Sequence, residues 1–183
     1  MKTQNNIIIS AAVLFLSTLL IPAQVAIGKG SVSNSSVSLE FAENENRGMI
    51  LPWVTSTGAV AGVADGSFVY DLSDHKVKVK YSGGWKDLSV DTNGATGTAA
   101  IQIQNDATEN TNAKVSIGRP TSVPEANGIL VLEDQTKAMI LPKVASPHLN
   151  IINPAPGMMV YDTTAKQLAV FNGTVWSFWK PSS

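Results

Sequence analysis

The sequence contains no cysteine among its 183 residues. A disulfide framework requires paired cysteines and a thiolate zinc site requires them as ligands, so both are excluded. A lipid-modified N-terminal cysteine is excluded for the same reason. Stability must therefore come from the burial of apolar side chains.

Charged residues are few and nearly balanced. The chain has 13 Lys and Arg against 14 Asp and Glu, a formal net charge of −1. Proteins that bind nucleic acid neutralise phosphates with clustered Lys and Arg, and no such cluster occurs here. We therefore expect no nucleic-acid partner.

A long apolar run occurs near the N-terminus. Lys2 precedes the apolar segment Ile7–Ile21, which is followed by Pro22 and Ala23. This layout is typical of a secretory signal peptide, so residues 1–23 are predicted to be a leader that is cleaved near Ala23. The alternative is a retained membrane anchor, but the run contains polar residues and is shorter than the roughly 20 residues that span a bilayer. We expect a secreted or cell-surface protein with no membrane span after cleavage.

Similar segments recur at a nearly constant spacing. A shift of 90 residues aligns Met49–Pro52 with Met139–Pro142. One extra residue then changes the shift to 91, which aligns Val69–Asp71 with Val160–Asp162. Repetition of several blocks in the same order indicates duplication of one structural unit.

The duplication divides the chain after the leader into three parts. We predict a first copy at residues 24–90, a polar connector at 91–114 and a second copy at 115–183. The connector contains the alternating patch Ala100–Gln104, which predicts one added strand, with a loose linker as the alternative.

Each copy consists of short predicted strands separated by turns. Lys76–Tyr81 alternates strictly, which places its valines and tyrosine on one face and its three lysines on the other. Ser82–Gly84 supplies the positive φ angles of a tight hairpin. Copy two repeats this plan, but the 91-residue shift sets Tyr81 opposite Asn172 rather than Phe171, so the strand register stays open. The predicted fold class is mainly β, with tandem duplicated antiparallel units.

Little helix is expected. Ser146 followed by Pro147 resembles a helix start, so His148–Ile152 is predicted to form one turn. The matching stretch of copy one, Thr57–Gly62, is rich in glycine and is predicted to be a loop.

The tryptophans suggest two roles. Trp85 and Trp176 are equivalent and are predicted to cap the core of each copy. Trp53 and Trp179 are unmatched, which makes them the candidate ligand-binding residues, as exposed platforms for sugar rings. The candidate core residues shared by the copies are Met49, Leu51, Tyr70, Trp85, Met139, Leu141, Tyr161 and Trp176.

Catalytic patterns are missing from the sequence. His75 and His148 do not align between the copies, so they do not form a repeated ligand pair. Asp71 and Asp162 do recur, and two carboxylates can hydrolyse glycosides, but their position before a turn favours hydrogen bonds to the backbone. Asp91–Gly94 lacks the later ligands of a calcium loop and is predicted to be a turn. We predict no catalytic residue, no metal site, no cofactor and no enzymatic activity.

Three segments of copy two carry a resemblance. A module of secreted and surface proteins of Bacteroidetes-type bacteria resembles these segments, which are, in order, Met139–Pro142, Asn153–Thr163 and Phe171–Trp176. Similar sequence patterns occur in phage tail-fibre-like proteins. Copy one matches it more loosely, and Trp53 and Lys143 stand where the family usually has arginine. The resemblance implies exported, mostly β, structural or adhesive material, and it carries over no catalytic residue.

These observations predict a non-enzymatic, secreted or cell-surface structural or adhesive protein. The alternative is a soluble glycan-binding module that uses Trp53 and Trp179. Each copy has about 65 residues, near the lower limit for one unaided apolar core. We therefore expect the copies to pack together, or the chain to form a homo-oligomer that covers its strand edges. The resemblance to fibrous tail proteins implies a trimer.

Overall fold

The computed structural model describes residues 24–43, 45–90, 114–118 and 128–180 and confirms a mainly β fold. The predicted leader, the Ala100–Gln104 patch and Asp91–Gly94 lie outside these ranges. Within them, no helix is long and apolar enough to cross a membrane. The described strands of copy one are β1 Val25–Ile27, β2 Val37–Phe41, β3 Met49–Ile50, β4 Trp53–Val54, β5 Phe68–Asp71, β6 Lys76–Tyr81 and β7 Gly84–Asp87.

Copy two repeats this order. Its described strands are β8 Val115–Ile117, β9 Leu130–Leu132, β10 Ala138–Ile140, β11 Lys143–Val144, β12 Met158–Asp162, β13 Gln167–Phe171 and β14 Trp176–Trp179. A short helix, α1 Pro147–Asn150, stands where copy one has a 3₁₀ turn, Thr57–Ala59.

The predicted antiparallel meander is present in both copies, as β5-β6-β7 and as β12-β13-β14. Lys80 faces Trp85 in copy one. The equivalent Phe171 faces Trp176 in copy two. The shift of 91 residues therefore holds through the hairpin, and Tyr81 is the structural equivalent of Asn172.

The predicted solvent-facing row of lysines is wrong at one position. Lys78 is buried and its Nζ lies 3.0 Å from an Asp71 oxygen and 2.6 Å from an Asp74 oxygen. Tyr81, predicted on the apolar face, is 48% exposed. Alternation in one strand cannot reveal the two acidic partners that make burial of the lysine tolerable.

Edge strands that are parallel to the meander were not anticipated. β4 runs parallel to β5, and β11 runs parallel to β12. Pro52 and Pro142 interrupt the chain just before these strands, and their carbonyl oxygens accept hydrogen bonds from the N–H groups of Tyr70 and Tyr161, 2.8 and 2.9 Å away. Each proline therefore ends one strand, as expected, and still ties the chain to the sheet through its carbonyl.

The predicted helical turn is present but shorter than expected. Helix α1 begins at Pro147 and ends at Asn150, and the N–H of Ile151 donates to the carbonyl of Pro147 at 3.0 Å. Ser146 precedes the helix with φ of 45° and makes no side-chain cap. The resemblance to a serine N-cap was therefore misleading, although proline does occupy the first helical position.

Two apolar cores hold the structure together. The first is shared by both copies and consists of Leu51, Tyr70, Val77, Leu88, Met159 and Val170. The second belongs to copy two alone and consists of Val144, Ile151, Met158, Val160, Ala169 and Phe171. Copy one has Lys78 and Lys80 in place of Ala169 and Phe171, so a buried ion-pair network replaces part of the second core.

Candidate functional site at the interface between the two copies

The two copies are joined by exchanged strands. β3 of copy one pairs antiparallel with β12 of copy two, with Met49 opposite Met159. β10 of copy two pairs parallel with β2 of copy one, with Met139 opposite Leu39. The repeated Met-Ile strand, which is β3 in copy one and β10 in copy two, is therefore the connecting element in both directions.

The two Met-Ile strands use different edges for these contacts. The N–H of Leu51, at the end of β3, donates to the carbonyl of Gly157 at 3.0 Å. The N–H of Ala138, at the start of β10, donates to the carbonyl of Ser36 at 2.8 Å. Leu141 is the equivalent of Leu51 and lies three positions after Ala138. Because successive backbone N–H groups of a strand point to alternate edges, the N–H groups at these two positions point to opposite edges. The Met-Ile strand can therefore bind one neighbour along each edge.

Tyr70 lies at the centre of the interface and is fully buried. Its hydroxyl donates to the carbonyl oxygen of Asn172 at 2.6 Å, and its ring packs 5.9 Å from that of Trp53. Burial, with a smaller contribution from the charge of Asp74, raises the pKa of Tyr70 to about 12. The phenol is therefore a proton donor at neutral pH and has no ionised form available for chemistry.

The two tryptophans that we predicted as ligand-binding platforms both donate across the interface. The Trp53 indole N–H donates to the carbonyl of Pro156 at 2.8 Å. The Trp179 indole N–H donates to the carbonyl of Leu88 at 2.5 Å, and its ring, 38% exposed, lies 5.3 Å from the Lys86 Nζ. Both indoles thus have a structural role in holding the copies together.

Gly157 lies at a close approach between the copies. It has φ of +78°, and a Cβ added there would come within 2.9 Å of the Tyr70 Cβ. Its equivalent, Gly66, has φ of +88° but would meet nothing within 4 Å. Both glycines satisfy the same turn geometry. Only Gly157 is also required by a neighbouring copy.

Two pairs of equivalent residues differ in burial because the interface covers only one member of the pair. Tyr161 is 37% exposed, so the prediction of a core position for it is corrected. Leu39 is 1% exposed, whereas its equivalent on β9, Leu130, is 44% exposed. The other candidate core residues are buried, Leu51 and Tyr70, or half-buried, Met49, Trp85, Met139, Leu141 and Trp176.

Asp71 anchors a loop in copy one. Its carboxylate accepts hydrogen bonds from the N–H groups of Ser73 and Thr57 and from the Lys78 ammonium. Burial opposes its ionisation, but these hydrogen bonds outweigh burial and lower the pKa of Asp71 to about 2. The sequence indicated the backbone contacts but not the partner lysine.

Asp162 makes the equivalent contacts in copy two. It accepts hydrogen bonds from the N–H groups of Ser146, Thr164 and Ala165 at 3.1, 2.9 and 3.2 Å. Burial raises its pKa, but the backbone donors prevail and the net pKa is below the ordinary value. Asp71 therefore fixes the loop after β4, and Asp162 fixes the loop after β11.

The histidines lie apart from this interface chemistry. His75 occupies a turn with φ of 56°, and His148 in α1 packs edge-on against Phe178 with ring centres 5.7 Å apart. In the described parts of the chain, no group of three or more His, Asp or Glu side chains is placed to hold a metal ion.

Comparison with known proteins gives one match. Residues 116–182, nearly all of copy two, match a family described as phage tail like trimerisation region. This agrees with the resemblance to phage tail-fibre-like proteins, and it supports a structural, homo-oligomeric protein. No curated protein and no solved structure matches the chain.

Proposed function

We propose that this protein is a non-enzymatic structural component, secreted or held at the cell surface, that assembles as a homotrimer. The observation that carries the proposal is the strand exchange between the two copies, together with the family match on copy two. Edge-to-edge pairing of backbones is a general means of joining identical units, because every unit offers the same donors and acceptors.

The polar groups of the described residues support a structural role. Asp71 and Asp162 are used by backbone N–H groups, and the Tyr70 hydroxyl is used by a carbonyl. A nucleophile or general base needs an unshared lone pair beside a place for substrate. These groups instead connect strands and loops.

A trimer is supported by the description of the matched family. The two copies already share one apolar core, and several side chains packed against it remain half-buried: Phe68, Val79, Leu141 and Leu168. Further subunits would complete the cover of these side chains. The predicted leader at residues 1–23 supports export, and export supports a place in an extracellular or envelope assembly.

The oligomeric state can be tested on purified mature chain, residues 24–183. Light scattering coupled to gel filtration should give three times the chain mass at micromolar concentration. A monomer over that concentration range would contradict the proposed trimer.

Location is tested separately by fractionating the producing cells. The chain, with residues 1–23 removed, should appear in the medium or the envelope fraction. Retention of the full-length chain inside the cell would refute the exported location.

The glycan-binding alternative makes a different prediction from the same tryptophans. It requires that polysaccharide change the tryptophan fluorescence and that Trp53→Ala or Trp179→Ala abolish the change. The hydrogen bonds from both indoles to backbone carbonyls favour the structural role. No fluorescence response to a polysaccharide panel is therefore expected.

A further inference from the structure

The contact between the copies is directional, because the two copies contribute different elements to it. It uses only one edge of each Met-Ile strand. In this contact β2 of copy one pairs with β10 of copy two, and one edge of β3 pairs with β12. Among the described residues, the equivalent elements at the two outer ends of this arrangement have no strand partner. On copy two these are the outer edge of β9 and the second edge of β10, here called the trailing face.

On copy one the corresponding elements are the second edge of β3 and the edge of β5 beside Phe68, here called the leading face. We infer that the trailing face of one chain binds the leading face of another chain, repeating between chains the contact that joins the copies within a chain. This inference rests on the proposed homo-oligomer and adds which strands meet and in which order.

Burial supports this pairing on the trailing face. In β2, which β10 covers, Ser38 and Leu39 are each 1% exposed. In the equivalent β9 region, Ile129 and Leu130 are 61% and 44% exposed. An incoming β3 would cover Leu130 with Met49, as β10 covers Leu39 with Met139 within the chain. Apolar edge strands of this kind readily pair with another chain when nothing covers them.

The leading face has a matching vacancy. Gly157 is pressed by Tyr70 of the other copy, whereas a Cβ on Gly66 would meet nothing within 4 Å. The residue equivalent to Tyr70 is Tyr161, which lies in β12 and is 37% exposed. Docking of two chains would bring Tyr161 against Gly66 and bury it.

Charge favours joining copy two to copy one over joining two first copies. Trp53 contacts the carbonyl of Pro156 within the chain. The equivalent positions in the contact between chains are Lys143 of copy two and Asp65 of copy one. Lys143 pairs with Glu43 of its own chain at 2.6 Å, and docking would bring the Asp65 carboxylate to the same cation, whereas a contact between two first copies would set Trp53 against Asp65.

The absence of native cysteine allows a direct test by disulfide trapping. Ile50 faces Met158 across the observed pairing, and the equivalent pair between chains is Ile140 and Ser67. Because Leu51 and Gly157 form the neighbouring hydrogen-bonded pair, Ile50 and Met158 occupy a close, non-hydrogen-bonded site that suits a disulfide. The test variant is therefore Ser67→Cys with Ile140→Cys, oxidised mildly in the assembled protein.

Non-reducing electrophoresis of this variant should show covalent dimers and trimers that disappear on reduction. The matched control, Ile50→Cys with Met158→Cys, should cross-link within the chain and stay at the position of one chain. The single variant Ser67→Cys reports random collision, and circular dichroism of each variant reports folding.

The cross-linking results distinguish failure of this inference from failure of the proposed trimer. Linked chains from Ile50→Cys with Ser67→Cys, or from Ile140→Cys with Met158→Cys, would show that like copies pair and would overturn the inference. A trimer by light scattering without the Ser67–Ile140 cross-link in folded variants would overturn the inference and leave the proposed function standing. The cross-link in an assembly other than a trimer would support the pairing and refute the proposed trimer.

Discussion

The Tyr70 hydroxyl donates to the carbonyl oxygen of Asn172 at 2.6 Å, although 102 positions separate the two residues. Tyr70 belongs to copy one and Asn172 to copy two, so this one bond spans the duplication. The bond is buried. A contact of this kind commits the two copies to one relative placement.

Tyr70→Phe should lower the free energy of unfolding by about 1 to 2 kcal/mol, because it removes a buried hydrogen bond. Urea unfolding followed by circular dichroism measures the loss. Tyr81→Phe is the matched control, since the Tyr81 ring is 48% exposed and should change stability by well under about 1 kcal/mol. Equal effects of the two substitutions would show that the contact with Asn172 contributes nothing.

Gly157→Ala should be more harmful than Gly66→Ala. Both substitutions force a side chain into the left-handed region, at a cost of about 1 kcal/mol, but only the first also meets the Tyr70 Cβ at 2.9 Å. Chemical unfolding of both variants at several protein concentrations separates the causes. The Gly157→Ala loss should be independent of concentration, whereas that of Gly66→Ala should depend on concentration if chains pair through the leading face.

Lys78→Ala should destabilise the chain by about 3 kcal/mol or more, because it leaves Asp71 buried without its cation. Lys76→Ala provides the control. Lys76 pairs with the largely exposed Asp87, and such pairs contribute about 0 to 1 kcal/mol. Thermal unfolding of both variants checks the difference, and a harmless Lys78→Ala would disprove the buried network.

Acid should weaken the fold through Asp71. Its pKa is about 2 in the folded chain against an ordinary value of 3.8, so the stabilisation is present above pH 4 and is lost as the pH falls towards 2. The loss should be about 2 kcal/mol from this group, and Asp162, whose pKa is also lowered, should add to it. Urea unfolding between pH 2 and 5 measures the slope, which should be shallower in Asp71→Asn; an unchanged slope would exclude Asp71 as its source.

Local patterns in the sequence predicted the strands and the equivalence of the copies. The glycines at the β6–β7 turn and the Asn-Gly pair after β13 specify hairpins through backbone geometry alone. The same reasoning failed at Lys78, because its burial depends on Asp71 at the end of β5 and on Asp74 in the turn between β5 and β6. Alternation reports the polarity of a strand's two faces and contains no information about partners elsewhere.

The interface was beyond reach of local patterns for another reason. Met49–Ile50 is a two-residue strand, too short to show any periodicity, and its partner Met159 lies more than 100 positions away. Sequence equivalence also predicts equal surroundings for Tyr70 and Tyr161. The structure shows unequal ones, because a directional contact between two units must leave one unit uncovered at each end.

β3 of copy one lies in the sheet of copy two, and β10 of copy two lies in the sheet of copy one. The two halves of this protein are therefore interlocked through their sheets. If the chain is cleaved between the two copies, the two fragments should stay associated in native buffer. The two pieces, produced as separate polypeptides, should find one another and reconstitute the same particle.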